Sequence, residues 1–264
     1  MSEAFDLDRI REFWTRQAAD HGASPAASWS DVQAIDLEIR TLLEYVRDGD
    51  HVLDVGCATG WSTVHWAIER AIRVRGVDYI PEMIAHARER LAKLENVRAE
   101  AIEFGVGDIT ALDEPDDTYT RVIVTRVVIN LAEWQHQQRA LLECSRVTAA
   151  GGLLLLSEAT VQGWQQLNAM RAEWGLEPIG MPPFNRYLDQ DQVVATLEPT
   201  MELVEIRNFA SSYYVGTRVL KPLLMQALGG GNPADPEMHI NRWLASLPAG
   251  GDYGTQKLFV FRKR

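Results

Sequence analysis

The feature that most constrains the fold is a glycine-containing loop between an apolar run and a segment of helical spacing. The run is HVLDVG at residues 51–56, and the loop continues as CATG through residue 60. A nearly continuous apolar run is typical of a strand buried on both faces of a parallel sheet. Glycines after such a strand allow a tight turn and a close approach of the backbone to a ligand at the following helix N-terminus. The segment therefore predicts the first strand–loop–helix unit of a ligand-binding α/β sheet.

Strand and helix patterns continue to alternate after this loop, which indicates crossover units and a doubly wound Rossmann-like sheet of the α/β class. Apolar runs predict strands at 73–79, within 97–107, and at 120–128, 152–159, 202–210 and 257–264. Helical spacing predicts helices at 6–18, 31–47, 60–70, 81–94, 133–148, 161–174 and 189–197.

Two long segments interrupt the alternation, and we expect one domain over residues 1–264. Its predicted parts are an N-terminal helical cap at 1–48, a ligand-binding core at 49–159, and insertions at 160–188 and 211–255. Long excursions from a compact α/β domain are commonly binding elements, so both insertions are predicted to form a lid together with the N-terminal extension.

Charge and cysteine content exclude several classes of partner. The chain has 26 lysines and arginines against 37 aspartates and glutamates, a net charge of −11, and no basic block. Duplex nucleic acid and anionic membranes are therefore not expected partners. Cys57 and Cys144 are the only two cysteines, too few for a disulfide framework or a cysteine zinc cluster. The acidic amphipathic start and the absence of a long apolar run predict a cytoplasmic protein. No metal-ligand spacing is present, so no metal site is expected. We expect a monomer or a homodimer.

Three acidic residues lie where predicted parallel strands end. Asp54 closes the first strand, Asp78 the second, and Asp108 follows the third. A dinucleotide loop would need glycines at positions 58 and 61, which hold Ala58 and Trp61. A carboxylate at the first strand end disfavours phosphates and suits an ammonium group, while the second can bind ribose hydroxyls. S-adenosylmethionine carries these groups, although another adenine nucleotide remains open at this point.

In this combination, residues 50–160 resemble a class I S-adenosylmethionine-dependent methyltransferase of the group that acts on small molecules. DVGCATG at 54–60 matches the family's glycine motif, with Ala58 in place of its middle glycine. The resemblance implies a seven-stranded, mostly parallel sheet with an antiparallel last strand. It also implies S-adenosyl-L-methionine as methyl donor and S-adenosyl-L-homocysteine as product.

The resemblance further implies which residues bind the cofactor. Asp54, Gly56 and Gly60 would hold the methionine portion, with Cys57 as a further residue of this cofactor-binding loop. Because no histidine lies near Cys57 in sequence, we expect it to be a packed residue and not a nucleophile. Asp78 would bind the ribose hydroxyls and Tyr79 would flank the adenine, whose amino group would bond to Asp108 beside the Ile109 backbone. In the fourth motif, TRVVINL at 125–131, Arg126 would line the cofactor and Asn130 would lie near the transferred methyl group.

The acceptor side carries no comparable motif. Glu158, at the end of the fifth strand, is a solvated charge, a general base or a carboxylate that orients the acceptor. His136 is a second candidate catalytic residue. The lid hypothesis places two aromatic residues near the cofactor, Trp14 and Trp29. It places four residues against the acceptor: Tyr187, Tyr213, Tyr214 and Arg218.

The predicted function is methyl transfer to a small-molecule metabolite or natural-product intermediate, at oxygen. Transfer to nitrogen or carbon stays open. So do methylation of a protein or nucleic acid and a non-catalytic S-adenosylmethionine-binding protein, although the charge balance disfavours nucleic acid.

Overall fold

The computed structural model describes residues 7–95, 98–236 and 238–264, which contain a seven-stranded sheet of order β3-β2-β1-β4-β5-β7-β6. The strands are β1 (His51–Val55), β2 (Arg73–Asp78), β3 (Ile102–Val106), β4 (Tyr119–Thr125), β5 (Thr148–Ala159), β6 (Met201–Arg207) and β7 (Gln256–Lys263). Two predicted positions, the helix start at residue 6 and the start of the third-strand interval at residue 97, lie outside the described residues.

Strand β7 runs antiparallel to both of its neighbours, β5 and β6, whereas β1 to β5 pair in parallel. The predicted doubly wound α/β fold with an antiparallel last strand is therefore confirmed. Helices surround the sheet: α1 (Leu7–His21), α2 (Val32–Leu43), α3 (Trp61–Glu69), α4 (Pro81–Ala92), α5 (Trp134–Val147), α6 (Val161–Glu173), α7 (Gln190–Leu197), α8 (Ser211–Val215), α9 (Lys221–Ala227) and α10 (His239–Leu244).

Side chains of β1 alternate between two apolar clusters because successive residues of a strand face opposite sides of the sheet. Val52 packs in the cluster that contains Trp66 of α3 and Leu42 of α2. Leu53 packs on the other face, in the cluster that contains Leu141 of α5. Burial on both faces explains the continuous apolar pattern of this strand and fixes its carboxyl end at the centre of the ligand-binding edge.

Several element ends differ from the sequence-based prediction by a few residues, and the end of β4 is the difference that shapes the site. Strand β4 ends at Thr125, short of the predicted residue 128, because Arg126 has φ +57° and a 3₁₀ turn follows at Val128–Asn130. The second insertion, for which no helix or strand was predicted, contains α8, α9 and α10 and a π-helix at Gly216–Leu220. Its buried Lys221 Nζ donates to Asn241 Oδ1 at 2.9 Å and to the carbonyl of Asp235, which ties α9 to α10.

Across the described ranges, no helix combines the length and apolar character needed to cross a bilayer.

Candidate cofactor and active site

A cavity opens at the carboxyl ends of β1, β2, β3 and β4, the edge at which open α/β sheets bind ligands. Its wall combines residues from the glycine loop, the strand ends, the segment after β4 and the N-terminal extension. Its polar and aromatic members include Arg11, Trp14, Ser28, Asp54, Trp61, Asp78, Tyr79, Asp108, Arg126, Asn130, His136 and Arg139.

Two glycines give the loop its shape. Gly56 has φ +76°, and a Cβ there would lie 2.1 Å from Val127 Cγ2. Gly60 has φ +69°, and a Cβ there would lie 2.6 Å from Phe104 Cζ. Each position therefore needs glycine both for its backbone conformation and for the close approach of a neighbouring side chain. Ala58, where the family motif has glycine, adopts the left-handed region at φ +47°.

The carboxylates of Asp54 and Asp78 lie in the floor of this cavity. Asp54 Oδ2 accepts a hydrogen bond from Thr63 Oγ1 at 2.5 Å. Asp78 accepts one from the Ala58 amide and one from the Ile80 amide, each at 2.9 Å, so it joins the glycine loop to the end of β2. Neither carboxylate forms an ion pair with any described residue, which leaves both available to a cationic or hydroxyl-bearing ligand.

Burial controls the protonation of this pair. It raises the pKa of Asp54 to about 7, an effect opposed by the Thr63 hydrogen bond and strengthened by the nearby charge of Asp78. Burial likewise raises the pKa of Asp78 to about 6, against the two amide hydrogen bonds that favour its ionised form.

Asp108 and Tyr79 form the rim of the cavity. Asp108 is exposed, and its Oδ1 accepts hydrogen bonds from the amide and the hydroxyl of Thr110, both at 2.8 Å. The ring of Tyr79 lies beneath the guanidinium of Arg11, 5.1 Å from its centroid. The third predicted acid thus shares one cavity with the first two, and its neighbour Ile109 is buried in the same wall.

The segment after β4 carries Arg126 and Asn130 into the cavity. The guanidinium of Arg126 stacks 5.0 Å from the Trp29 ring, and its Nε lies 3.3 Å from Glu38 Oε2. Asn130 Nδ2 donates to the Arg126 carbonyl at 2.8 Å. Asn130 Oδ1 is buried and has no hydrogen-bond partner among the described residues. Trp29 reaches this site by contacting Arg126 and not by lining the cavity itself.

Glu158 is buried behind the cavity wall. Its Oε1 accepts hydrogen bonds from the amides of Val127 and Val128 at 2.8 Å, and Oε2 accepts one from Ile129 at 3.4 Å. Burial raises its pKa to about 8, while these amide hydrogen bonds act in the opposite direction. The prediction of a solvated charge is wrong, because the carboxylate is buried and binds backbone amides. Glu158 is absent from the cavity lining, so its role as a base or acceptor-orienting group stays a prediction without a contact to support it.

His136, the other candidate base, does line the cavity. It lies in the first turn of α5, and its Nδ1 is buried without a hydrogen-bond partner among the described residues. Trp61 Nε1 and Arg126 Nε are buried without a hydrogen-bond partner in the same way. With Asn130 Oδ1, four such atoms therefore belong to residues that line one cavity, which is the pattern expected of a site built to hold a polar ligand.

The residues predicted to face the acceptor form a cluster outside the cavity lining. Asp31, at the start of α2, accepts a hydrogen bond from Tyr213 Oη at 2.5 Å and one from Arg218 Nη2 at 2.8 Å. The Arg218 guanidinium lies over the rings of Tyr213 and Tyr214, at 5.6 and 5.0 Å. The buried carboxylate of Asp31 thus draws the second insertion towards the N-terminal extension.

Tyr187 lies apart from the cavity lining as well, with its ring 6.4 Å from that of Trp164. Its direct contact with an acceptor therefore remains a prediction.

Sequence reasoning missed Glu38, although the sequence contained a signal for it. Ile35, Ile39 and Leu42 form the buried face of α2, and Glu38 falls on that same face with 2% exposure. An acid on an apolar helix face needs a buried partner, and the pairing with Arg126 supplies one.

Neither cysteine is placed as a nucleophile. Burial raises the pKa of Cys57 well above its ordinary value, and the nearby charges of Asp54 and Asp78 raise it further. Within the described ranges, no group of three or more His, Cys, Asp or Glu residues is arranged to hold a metal ion.

The comparisons with known proteins cover the core of the chain. Residues 52–152 match the family model described as a methyltransferase domain. The arsenite methyltransferase of Halobacterium salinarum is 37% identical over 112 residues, 42% of this chain and 27% of that protein. The malonyl-[acyl-carrier protein] O-methyltransferase of Serratia marcescens is 32% identical over 131 residues, 47% of this chain and 46% of that protein. The chain spans about half or less of the length of these relatives.

Solved structures show the same fold over most of the chain. The crystal structure of magnesium protoporphyrin IX methyltransferase from Synechocystis PCC 6803 with bound S-adenosylhomocysteine has a TM-score of 0.57 at 13% identity, covering 96% of this chain and 94% of that one. Together with the family match, this shows that residues 52–152 form a methyltransferase domain and that the chain has the fold of class I S-adenosylmethionine-dependent methyltransferases.

Proposed function

We propose that the protein transfers a methyl group from S-adenosylmethionine to an oxygen atom of a small-molecule acceptor. The observation that carries this proposal is the convergence of Asp54, Asp78 and Asp108 with Arg126 and His136 in one cavity. The acids match the ammonium, ribose and adenine of the cofactor, and the unpaired His136 leaves a nitrogen free for an acceptor proton.

Each end of the cofactor has a chemical counterpart among these residues. Ionised Asp54 would hold the ammonium group, and Arg126, a cation in the same cavity, would hold the carboxylate. Asp78 would accept from the ribose hydroxyls. Asp108 would accept from the adenine amino group beside the Ile109 backbone. When bound, S-adenosylmethionine supplies an electrophilic methyl group on a sulfonium, so the protein need only align the acceptor and exclude water.

Contacts among the three outer segments support a common lid over this site. Phe13 of α1 stacks on Phe184 of the first insertion with ring centroids 4.5 Å apart, and Trp14 beside it lines the cavity. Asp31 of the extension pairs with Arg218 of the second insertion. We propose that these segments close over the cofactor and shield the reacting methyl group from water.

The choice of oxygen depends on His136. A hydroxyl acceptor must lose a proton, which an imidazole nitrogen within reach can accept, whereas a carboxylate acceptor needs no base. The named relatives do not decide between acceptors, because one is an arsenite methyltransferase and the other an O-methyltransferase.

The test uses S-adenosylmethionine labelled in its methyl group and a cell extract separated into small-molecule, protein and nucleic-acid fractions. We expect the label in a small organic product, and loss of transfer on Asp78→Asn. Replacing His136 with Asn should abolish transfer to a hydroxyl and spare transfer to a carboxylate. Methylation of a carboxylate is recognised by its product, a methyl ester, which releases labelled methanol in alkali. Binding of S-adenosylhomocysteine without transfer to any fraction would show a non-catalytic protein. Label in protein, in nucleic acid, or on nitrogen or carbon of a small molecule would overturn the proposed acceptor.

A further inference from the structure

Glu38 is a buried carboxylate that has no role in the cofactor scheme above. Its two oxygens have different partners. Oε1 accepts hydrogen bonds from Ser157 Oγ of β5 and from Gln256 Nε2 of β7, and Oε2 faces Arg126 Nε at 3.3 Å. Burial raises the pKa of Glu38, and the charge of Arg126 opposes that rise. One carboxylate thus joins a helix of the extension to strands β5 and β7 and to a cavity residue.

Arg126 depends on few other contacts. Its backbone is in the left-handed region. Within the described residues its guanidinium has one ion-pair partner, Glu38, and one aromatic partner, the ring of Trp29, and its Nε forms no hydrogen bond. Both partners belong to the N-terminal extension. A long arginine side chain that is held on one side by charge and on one face by an aromatic ring loses most of its freedom before a ligand arrives.

We propose that Glu38 is a positioning residue that fixes the guanidinium of Arg126 at the methionine end of the cavity without touching the ligand. The proposal rests on the proposed function only in taking Arg126 as the group that binds the cofactor's carboxylate. On this proposal the N-terminal extension affects the affinity for the cofactor through Glu38 and Trp29, two residues that do not line the cavity.

A purely structural role for Glu38 can be separated from the positioning of Arg126, because the contacts with the sheet use Oε1 and the pairing with Arg126 uses Oε2. In Glu38→Gln the amide oxygen can still accept from Ser157 and Gln256, while its NH₂ group meets Arg126 Nε donor to donor. This variant therefore removes the pairing with Arg126 and keeps the contacts with the sheet. Ser157→Ala is the matched control, since it removes a contact of Oε1 and leaves the pairing with Arg126 in place.

The first measurement needs no cofactor. In protein labelled with 5-fluorotryptophan, the ¹⁹F resonance of Trp29 is assigned with Trp29→Phe. We expect Glu38→Gln and Arg126→Met to move this resonance in the same direction, because both withdraw the guanidinium from the ring. Ser157→Ala should leave it in place. An unmoved Trp29 resonance in folded Glu38→Gln overturns the proposal.

The second measurement is calorimetric titration with S-adenosylhomocysteine. We expect Glu38→Gln to weaken binding roughly tenfold to hundredfold, the scale of a lost charge-assisted interaction, and the double variant with Arg126→Met to bind like Arg126→Met alone. Additive effects would show that Glu38 acts independently of Arg126 and overturn the proposal. If the unmodified protein does not bind S-adenosylhomocysteine, the proposed function fails, and the fluorine measurement still decides the role of Glu38. If Glu38→Gln does not fold, Glu38→Asp, which withdraws the charge by one methylene, should shift both readouts in the same direction.

Discussion

At the scale of single residues, Asp78 has two tasks: it accepts hydrogen bonds from the Ala58 and Ile80 amides and it exposes its remaining lone pairs to the cavity. We predict that Asp78→Asn weakens binding of S-adenosylhomocysteine by roughly 1.5–3 kcal/mol, the scale of a hydrogen bond to a charged group. Calorimetric titration measures this loss. Asp108→Asn is the matched control and should cost less, because that carboxylate is exposed and screened by water. Equal affinity of Asp78→Asn and the unmodified protein would place the ribose elsewhere.

The cofactor-side residues could be placed from the sequence because each lies next to a strand end or a tight turn. The strand–loop pattern alone predicts that Asp54, Gly56 and Asp78 lie at the ligand-binding edge of the sheet. Glu38 and Asp31 were not assigned to the site because their partners are distant in sequence: Ser157 is 119 residues from Glu38, and Arg218 is 187 residues from Asp31. No local pattern specifies such a pair, although an acid on an apolar helix face indicates that a partner exists.

At the scale of elements, the segment between β4 and α5 is shaped by a carboxylate from β5. The Glu158 carboxylate accepts hydrogen bonds from the amides of Val127, Val128 and Ile129. These amides are therefore not available to a neighbouring strand, and β4 ends before the predicted residue 128. The apolar pattern of that segment favoured a longer strand, because periodicity reports burial and not which group receives the backbone hydrogen bonds.

We predict that Glu158→Ala destabilises the protein by roughly 1–3 kcal/mol for each buried amide left unpaired, and that it weakens binding of S-adenosylhomocysteine by displacing Arg126 and Asn130. Glu158→Gln should be much milder, since its amide oxygen can still accept from Val127 and Val128. Urea unfolding and calorimetric titration test both variants. Equal losses for the two would mean that the charge of Glu158, and not its acceptor geometry, is what the segment requires.

The proposed lid is also a property of whole elements, since the N-terminal extension and the two insertions form it. Deletion of residues 1–30 removes Arg11 and Trp14 from the cavity wall and Trp29 from Arg126, so we expect a higher Kd for S-adenosylhomocysteine with the sheet still folded. Hydrogen exchange in the intact protein should show residues 7–30, 160–188 and 211–255 gaining protection together when S-adenosylhomocysteine binds. Protection confined to the glycine loop would contradict a common lid.

At the scale of the whole molecule, buried carboxylates set the response to pH. Burial raises the pKa of Asp54 to about 7, of Asp78 to about 6 and of Glu158 to about 8, against about 4 in an unfolded chain. Between pH 4 and 8 the folded protein therefore holds protons that the unfolded chain has released. These groups stabilise the fold fully at low pH, and that contribution is lost as the pH rises through 6 to 8.

We accordingly predict that the Tm of the ligand-free protein falls between pH 5 and pH 8, and that Asp54→Asn flattens part of this slope. Binding of S-adenosylhomocysteine, whose ammonium favours ionised Asp54, should release protons near pH 6.5. Titrations in buffers of different ionisation enthalpy measure that release. A Tm that rises steadily from pH 5 to pH 8 would contradict the assignment of raised pKa values to these buried carboxyl groups.

The position of β7 between β5 and β6 also has a consequence for biosynthesis. Strand β6 ends at Arg207, yet its only partner in the described sheet begins at Gln256, so a nascent chain carries β6 for some fifty residues with no neighbour to bind. During that interval the edge of β5 is open as well, and Val204 and Ile206 of β6 face the surroundings. A premature stop within 211–255 would leave both edges unpaired for good, and such a fragment would expose two templates for aggregation at once.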